Sequence, residues 1–222
     1  NESISFRVNN PELWTAETPV LYFLNLHLVK KNSVIQTKSQ VVGIREVSIE
    51  NVVLKLNGKP IKLRGINHHD TNPEYGKTFT KELLCQDLSL IKRANINFIR
   101  TAHYPPDRRL LDMCDSMGFY VQCEVPVCSG DVRDTASLKP MMDRAEATLL
   151  RDRNHPSVII WSIGNENVYT PVTGMVGQYV QKSDSTRPIC YPQMGHYFDE
   201  AYKSFPDFLD LYTPHYRSAP WM

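Results

Sequence analysis

Hydrophobic residues along this chain follow two different periods, and the change falls near residue 60. The stretch "PVLYFLNLHLVKKNSVIQTKSQVVGIREVSIE" (19–50) alternates apolar and polar side chains in runs divided by a polar turn at Lys31-Asn32-Ser33. A period of two is the signature of strands with one buried face. "VVLKLNGKPIKLRGINHHD" (52–70) follows, and its Asn57-Gly58 pair predicts a tight hairpin. No helical period occurs before about residue 80. Residues 1–48 are therefore predicted to be the last strands of a β-sandwich, too few to make a whole one.

Beyond residue 60 strands alternate with helices. "IKLRGINHH" reads as a strand and "TKELLCQDLSLIKRAN" as a helix, with Thr80 as N-cap and Leu83, Leu84, Leu88 and Ile91 on one stripe. "INFIRTAHY" is a strand, and "PPDRRLLDMCDSMG" a helix opened by prolines and closed by Gly118. "FYVQCEVPV" is a strand, and "SLKPMMDRAEATLLRDRN" a helix that Pro156 helps to stop. "SVIIWSIGNEN" is one strand, and "TPVTGMVGQYVQKSD" a helix weakened by Gly174 and Gly177. "RPICYPQ" and "LDLYTPHY" are the fifth and sixth strands, with a short helix around Glu200-Ala201-Tyr202.

This rhythm predicts a parallel sheet covered by helices. It can close as an open doubly wound sheet or as a (β/α)8 TIM barrel. The first strand ends in "NHHDTNPEYG", with no GxGxxG and no phosphate-binding loop. Polar residues stand at the C-terminal end of nearly every strand: His69/Asp70, Arg100/His103, Glu124, Asn165/Glu166, Gln193 and His215/Tyr216. That is the face on which barrels build active sites. Residues 49–222 are predicted to be a partial TIM barrel with six of eight strands.

Composition narrows the partners. The 222 residues hold 25 basic and 24 acidic side chains, a net charge of +1, so no basic field points to nucleic acid. No apolar run reaches the roughly 18 residues of a membrane helix, so no membrane association is expected. The chain opens on "NESISFRVNN" without Met, which leaves the compartment, cytoplasmic or periplasmic, undecided. Five cysteines without a CxxC pair, four of them in predicted core elements, read as buried apolar side chains rather than disulfides or a zinc site.

Several residues carry candidate chemistry. Glu166, beside an apolar wall including Trp161 and Ile163, suits a general acid whose pKa is raised by desolvation. Asn165 suits a substrate hydroxyl. One Asn-Glu dipeptide is equally compatible with a surface carboxylate paired to an arginine. His68, His69 and Asp70 raise a metal alternative, but metal-dependent barrels space two histidines by one residue, and adjacent positions on a strand point opposite ways. Arg100 and His103 also differ in parity, so both reach the mouth only if the strand ends or bulges between them. A carboxylate at Glu124 must be paired, and Arg100 on the adjacent strand is the candidate. Trp161, Tyr191, Tyr212, Tyr216 and Trp221 offer a sugar platform or, individually, core packing.

Together "NPELWTAETPVLYFLNL", "LNGKPIKLRGINHHD", "NINFIRTAHYPPD", "LLDMCDSMGFYVQCEVP" and "RDRNHPSVIIWSIGNEN" resemble glycoside hydrolase family 2, which includes β-galactosidases, β-glucuronidases and β-mannosidases. The resemblance runs from the end of an immunoglobulin-like sandwich (1–48) through most of the barrel. It implies a retaining β-glycoside hydrolase with Glu166 as general acid/base and Asn165 on the sugar 2-hydroxyl. It places His69 and His103, and with them Asp70 and Tyr216, in the substrate pocket. Arg100, supported by Glu124, contacts the nucleophile, a Glu expected beyond this chain. "HHDTNPEYG" and "HYP" lean towards β-galactosides; β-glucuronidase or β-mannosidase specificity and a non-catalytic carbohydrate-binding module are the alternatives.

One departure concerns metal. Large β-galactosidases offer a Glu and a His to magnesium after the third strand, where this chain has Cys128 and Gly130. Thiol and glycine are not hard-cation ligands, so no such site is expected, and no cofactor is implied. A homo-oligomeric parent remains open.

Overall fold

The computed structural model describes residues 4–130, 134–167, 169–192, 206–211 and 213. β1 (Tyr22–Lys30) and β2 (Ser33–Val42) form an antiparallel ribbon. Lys31 and Asn32 turn it with φ of 46° and 62°. β3 (Val47–Glu50), β4 (Val53–Leu56) and β5 (Lys59–Pro60) form an antiparallel meander. Its second turn is the predicted Asn57-Gly58 pair, both in the left-handed region.

Seven strands follow: β6 (Gly65–His68), β7 (Phe98–Thr101), β8 (Tyr120–Glu124), β9 (Cys128–Gly130), β10 (Val158–Ser162), β11 (Asn165–Asn167) and β12 (Ile189–Cys190). Five of them make a parallel sheet in the order β12-β10-β8-β7-β6, while β9 and β11 pair separately, also in parallel. The five lie side by side in sequence order. A doubly wound sheet must reverse that order at its switch point, so the topology selects the barrel.

The two faces confirm it. Outward side chains such as Ile99, Val121, Cys123 and Trp161 share one core with Leu84, Leu110, Leu149 and Val176 of the helices. Inward Phe98, Tyr120, Ile160 and Cys190 pack instead on Trp14 and on Leu56 of the meander. The meander is thus a floor under the barrel, and the strand ends are its mouth. The sixth strand is represented by Leu211, which bridges in parallel to Cys190; Tyr212, residues 214–216 and the short helix at 200–202 lie outside the described residues.

Local chemistry explains the helices. α1 (Lys81–Arg93) starts where the Thr80 hydroxyl accepts the Leu83 N–H. α2 (Arg108–Met117) is opened by Asp107, whose side chain accepts the Arg109 N–H, so the prolines precede the helix rather than begin it. It closes on Gly118 at φ 77°, where a Cβ would collide with the Ala16 carbonyl. α3 (Leu138–Asp152) is followed by α4 (Pro171–Ser183), which carries a Thr170–Thr173 capping box. Gly174 and Gly177 lie inside a continuous α4. A Cβ at 177 would overlap the Phe208 ring, and one at 174 would sit 2.8 Å from the Tyr169 hydroxyl, so these glycines permit close packing.

Trp14 and Arg45 seat the N-terminal part on the barrel, and Arg187 of the barrel braces the point that Arg45 reaches. Trp14, fully buried, donates its indole N–H to the Asp115 carbonyl. Arg45 donates to the carbonyls of Pro156 and Val158 at 3.2 and 2.8 Å. Arg187 donates to Val158 and Arg153, both at 2.6 Å, and pairs with Asp184 at 2.6 Å.

Candidate active site

The predicted single strand "SVIIWSIGNEN" is two. β10 ends at Ser162, Gly164 turns the chain at φ 152°, and β11 carries Asn165 and Glu166. A Cβ at 164 would fall 2.9 Å from the Val127 carbonyl, so the bend needs glycine. Glu166 itself has φ 51°, a left-handed conformation that costs a non-glycine residue roughly 1–2 kcal/mol. Such conformations gather at functional positions. Its side chain is half-buried.

Next to it lies a buried polar hub. β7 and β8 are neighbours, and Arg100 and Glu124 point inward from them. Arg100 Nε lies 2.9 Å from Glu124 Oε2, and its Nη2 lies 3.1 Å from Oε1. The Glu124 carboxylate is fully buried and also accepts from the Ser162 hydroxyl at 2.8 Å. Burial raises its pKa above the ordinary carboxylate value, and Arg100, His103 and Ser162 offset that only in part. The two-pronged contact with a guanidinium is the signature of the ionised form.

His103 joins the hub because β7 stops at Thr101. Its Nδ1 lies 2.8 Å from Glu124 Oε1 and 3.2 Å from Arg100 Nη2. An arginine nitrogen can only donate, so the useful hydrogen on Nδ1 is the one given to Glu124. The His69 ring meets the His103 ring edge-on at 5.2 Å. Desolvation, and then the charges of His103, His68, Arg100 and Lys77, lower the pKa of His69, which keeps it neutral at neutral pH.

Asn165 closes the hub. Its Oδ1 accepts from Arg100 Nη2 at 2.6 Å, and its Nδ2 donates to Cys128 Sγ at 3.5 Å. The structure therefore brings Arg100, Glu124, His103 and Asn165 into one network, with Glu166 beside it on β11. Ser162, and Asn67, whose side chain lies 3.5 Å from Arg100 Nη1, were not singled out from sequence. Strand parity could have found both, since each shares an inward column with a neighbouring charged residue.

Other expected residues fall elsewhere. Asp70 is buried at the mouth, but its Oδ2 accepts the Asp107 backbone N–H at 2.7 Å and its own N–H goes to the Tyr104 hydroxyl. His68 points away from His69, between Asp70 and Asp87 at 3.5 Å each and against Phe79. Trp161 and Ile163 do not wall Glu166; both lie in the core under the helices, and the Trp161 N–H goes to Asp184. Tyr191 is buried there too. Gln193, Tyr212, His215, Tyr216 and Trp221 lie outside the described residues. Cysteine placement also differs from expectation: Cys114, Cys123 and Cys190 are buried, but Cys85 and Cys128 are exposed.

A cation could be shared by only one group among the described residues, Asp112, Asp115 and His155. Asp115 and His155 already hold each other at 2.6 Å. His68, His69 and Asp70 form no such group. No helix among the described residues is long and apolar enough to cross a membrane.

Comparison with known proteins adds to this geometry. Residues 47–221 match the family model "Glycosyl hydrolases family 2, TIM barrel domain", and residues 1–45 match "Glycosyl hydrolases family 2". The chain is 36% identical over 217 residues to a β-galactosidase of Lactococcus lactis subsp. lactis (strain IL1403), covering 94% of this chain and 21% of that protein. A β-galactosidase of Oenococcus oeni (strain ATCC BAA-331 / PSU-1) is 38% identical over 192 residues, covering 83% and 19%. Among solved structures, a β-galacturonidase from Eisenbergiella tayi bound to galacturonate superposes with a TM-score of 0.80 at 28% identity, covering 86% of this chain and 35% of that one. A β-glucuronidase from Ruminococcus gnavus in complex with D-glucaro 1,5-lactone gives 0.77 at 31% identity, covering 82% and 33%. The chain spans about a fifth of the length of the curated relatives it matches.

Proposed function

The chain belongs to glycosyl hydrolase family 2, and on that premise we propose that it supplies the acid/base side of a retaining β-glycosidase site acting on terminal β-galactosides. The observation that carries this reading is the Arg100–Glu124–Asn165 network at the barrel mouth, with Glu166 next to Asn165 on the same short strand. In the proposed reaction Glu166 gives its proton to the glycosidic oxygen as the bond from C1 breaks. A nucleophilic Glu, supplied by a strand outside these 222 residues, attacks C1 and forms a glycosyl-enzyme. Glu166, now ionised, takes a proton from water, which displaces the nucleophile and completes retention.

The hub serves positioning. Arg100 is held by Glu124 through Nε and Nη2, and Nη1, with one N–H towards Asn67 Oδ1, has a second to offer the incoming nucleophile. Because Glu124 neutralises Arg100, the pair contributes orientation more than net charge. His69 and His103, both at the mouth, line the sugar pocket. Asn165 donates to the sugar 2-hydroxyl.

A second specificity has its own support, since two of the solved structures that superpose are a β-glucuronidase and a β-galacturonidase by name. The higher sequence identity to β-galactosidases favours the neutral sugar. A panel of 4-nitrophenyl β-galactoside, β-glucuronide, β-galacturonide and β-mannoside, offered to the full-length protein, separates them. The largest kcat/KM is expected on the β-galactoside. Preference for a uronide transfers the same site to an acidic sugar, and inactivity on all four leaves a carbohydrate-binding module.

A further inference from the structure

Outside the hub, one contact in the mouth has no part in the scheme above: the exposed thiol of Cys128 against Asn165. β9 and β11 pair so that Cys128 and Asn165 are direct partners in the ladder. The Asn165 N–H donates to the Val127 carbonyl at 2.8 Å, which ties the two segments together at that point. Partnered residues in a ladder project to the same side, and the thiol therefore stands beside the amide by construction.

The orientation of that amide follows from its two neighbours. Arg100 Nη2, 2.6 Å away, carries only donors, so the atom facing it must be the carbonyl oxygen. Nδ2 then faces the other way with two N–H groups. One meets Cys128 Sγ at 3.5 Å, a normal length for a sulfur acceptor. The second N–H is directed elsewhere. The terminal torsion of an asparagine is broad, so an amide held at the oxygen alone can still rock out of plane; a second anchor at nitrogen stops it.

We propose that Cys128 is a positioning residue for Asn165, holding the amide so that it presents an N–H, and not its oxygen, to the substrate hydroxyl. This rests on the glycosidase reading above. The interaction then matters most when that hydroxyl contact tightens in the transition state, so its loss falls on kcat more than on KM. It also makes the pocket sensitive to thiol alkylation. Burial raises the thiol pKa of Cys114 and Cys123, and pushes that of Cys190 to about 12. Under native conditions a thiol reagent therefore reaches Cys85, on the exposed side of α1, and Cys128.

The test uses the full-length protein, 4-nitrophenyl β-galactoside and iodoacetamide, with C128A, C128S and C85A. C128A is expected to lose roughly tenfold in kcat/KM, the size of one net hydrogen bond, mostly in kcat. C128S is expected to stay within about twofold of wild type, because a hydroxyl accepts the same N–H. Alanine and serine differ little in volume, so rescue by serine separates an acceptor from a space-filler. Iodoacetamide should inactivate wild type and C85A equally, a competitive galactose-type inhibitor should slow that loss, and C128A should resist it. Wild-type kcat and KM in C128A, or unchanged sensitivity of C128A to iodoacetamide, overturns the proposal while leaving the glycosidase reading intact. If C128A does not fold, the comparison of C128S with wild type and the alkylation of C85A decide. A wild-type protein inactive on every aryl β-glycoside removes the glycosidase reading and this inference with it.

Discussion

Arg45 and Arg187 donate to the same acceptor, the Val158 carbonyl oxygen, from opposite sides of the junction between the N-terminal strands and the barrel. Two guanidinium groups on one oxygen repel each other. Burial, and then the charge of Arg187, lower the Arg45 pKa to about 9. Arg187 holds Asp184 in a direct ion pair, whereas Arg45 makes its hydrogen bonds to the carbonyls of Pro156 and Val158 and feels Asp184 and Asp115 only at a distance. The two arginines are therefore not equivalent. Arg187→Met strands a buried Asp184 and is expected to cost about 3–5 kcal/mol. Arg45→Met removes the like-charge contact along with its hydrogen bonds and is expected to cost only about 1–2 kcal/mol. Thermal unfolding of the two full-length variants measures the difference, and equal losses would contradict the asymmetry.

The same cluster sets a pH dependence. Burial alone would raise the Asp184 carboxyl, but Arg187, Thr186 and Trp161 outweigh it and hold the pKa down to about 2, against an ordinary 3.8. A depressed carboxyl stabilises the fold above its unfolded pKa, and that contribution is lost as pH falls through the folded one. Wild type should therefore lose stability between about pH 4 and pH 2. Asp184→Asn should start lower and show a shallower slope across that window in denaturant titrations at each pH.

Glu124 and Arg100 answer a different question, whether the hub is there for stability or for chemistry. Glu124→Gln keeps the shape but leaves Arg100 buried without its counter-ion, an expected loss of about 3–5 kcal/mol. An Arg100→Met, Glu124→Met double variant has no unpaired charge and should recover most of that stability. Its activity should stay at least about 100-fold down, since Asn165 has lost the group that orients it. A double variant as active as wild type would show that the hub is only a packing device.

Glu166→Gln probes the acid/base role most directly. A nitrophenolate leaves without much proton donation, so glycosyl transfer to the enzyme survives while the water step fails. The expected result is a kcat drop of about 10²–10⁴-fold on the aryl galactoside. Added azide, which needs no base, should restore turnover and give a galactosyl azide of retained configuration. Wild-type kcat without azide would remove Glu166 from this role.

Much of the fold was legible because two simple periods carry it. Helix α1 was readable down to its cap at Thr80, since a hydroxyl before an amphipathic run has one good use. The pairing of Glu124 with Arg100 was readable too, because a carboxylate inside a parallel strand has few affordable partners. What stayed hidden was geometry that apolar runs conceal. "VIIWSIGNEN" looks continuous, yet the chain breaks at Gly164, and the sequence carries no sign that Glu166 adopts a positive φ. Trp161 was expected beside Glu166, but it alternates with Ser162, so one faces the helices and the other the hub. The glycines of α4 read as weak points because composition says nothing of the ring packed on them.

Trp14 has a use beyond anchoring. The chain contains three tryptophans. Trp14 is sealed where the N-terminal strands meet the barrel floor, and Trp161 lies 5.4 Å under the Arg187 cation. Those are two distinct optical environments at two ends of the same strand bundle. With Trp161 and Trp221 both replaced by Phe, the emission maximum of Trp14 becomes an intrinsic gauge of that junction. Its red shift during unfolding would tell whether the floor comes away before, or together with, the barrel it supports.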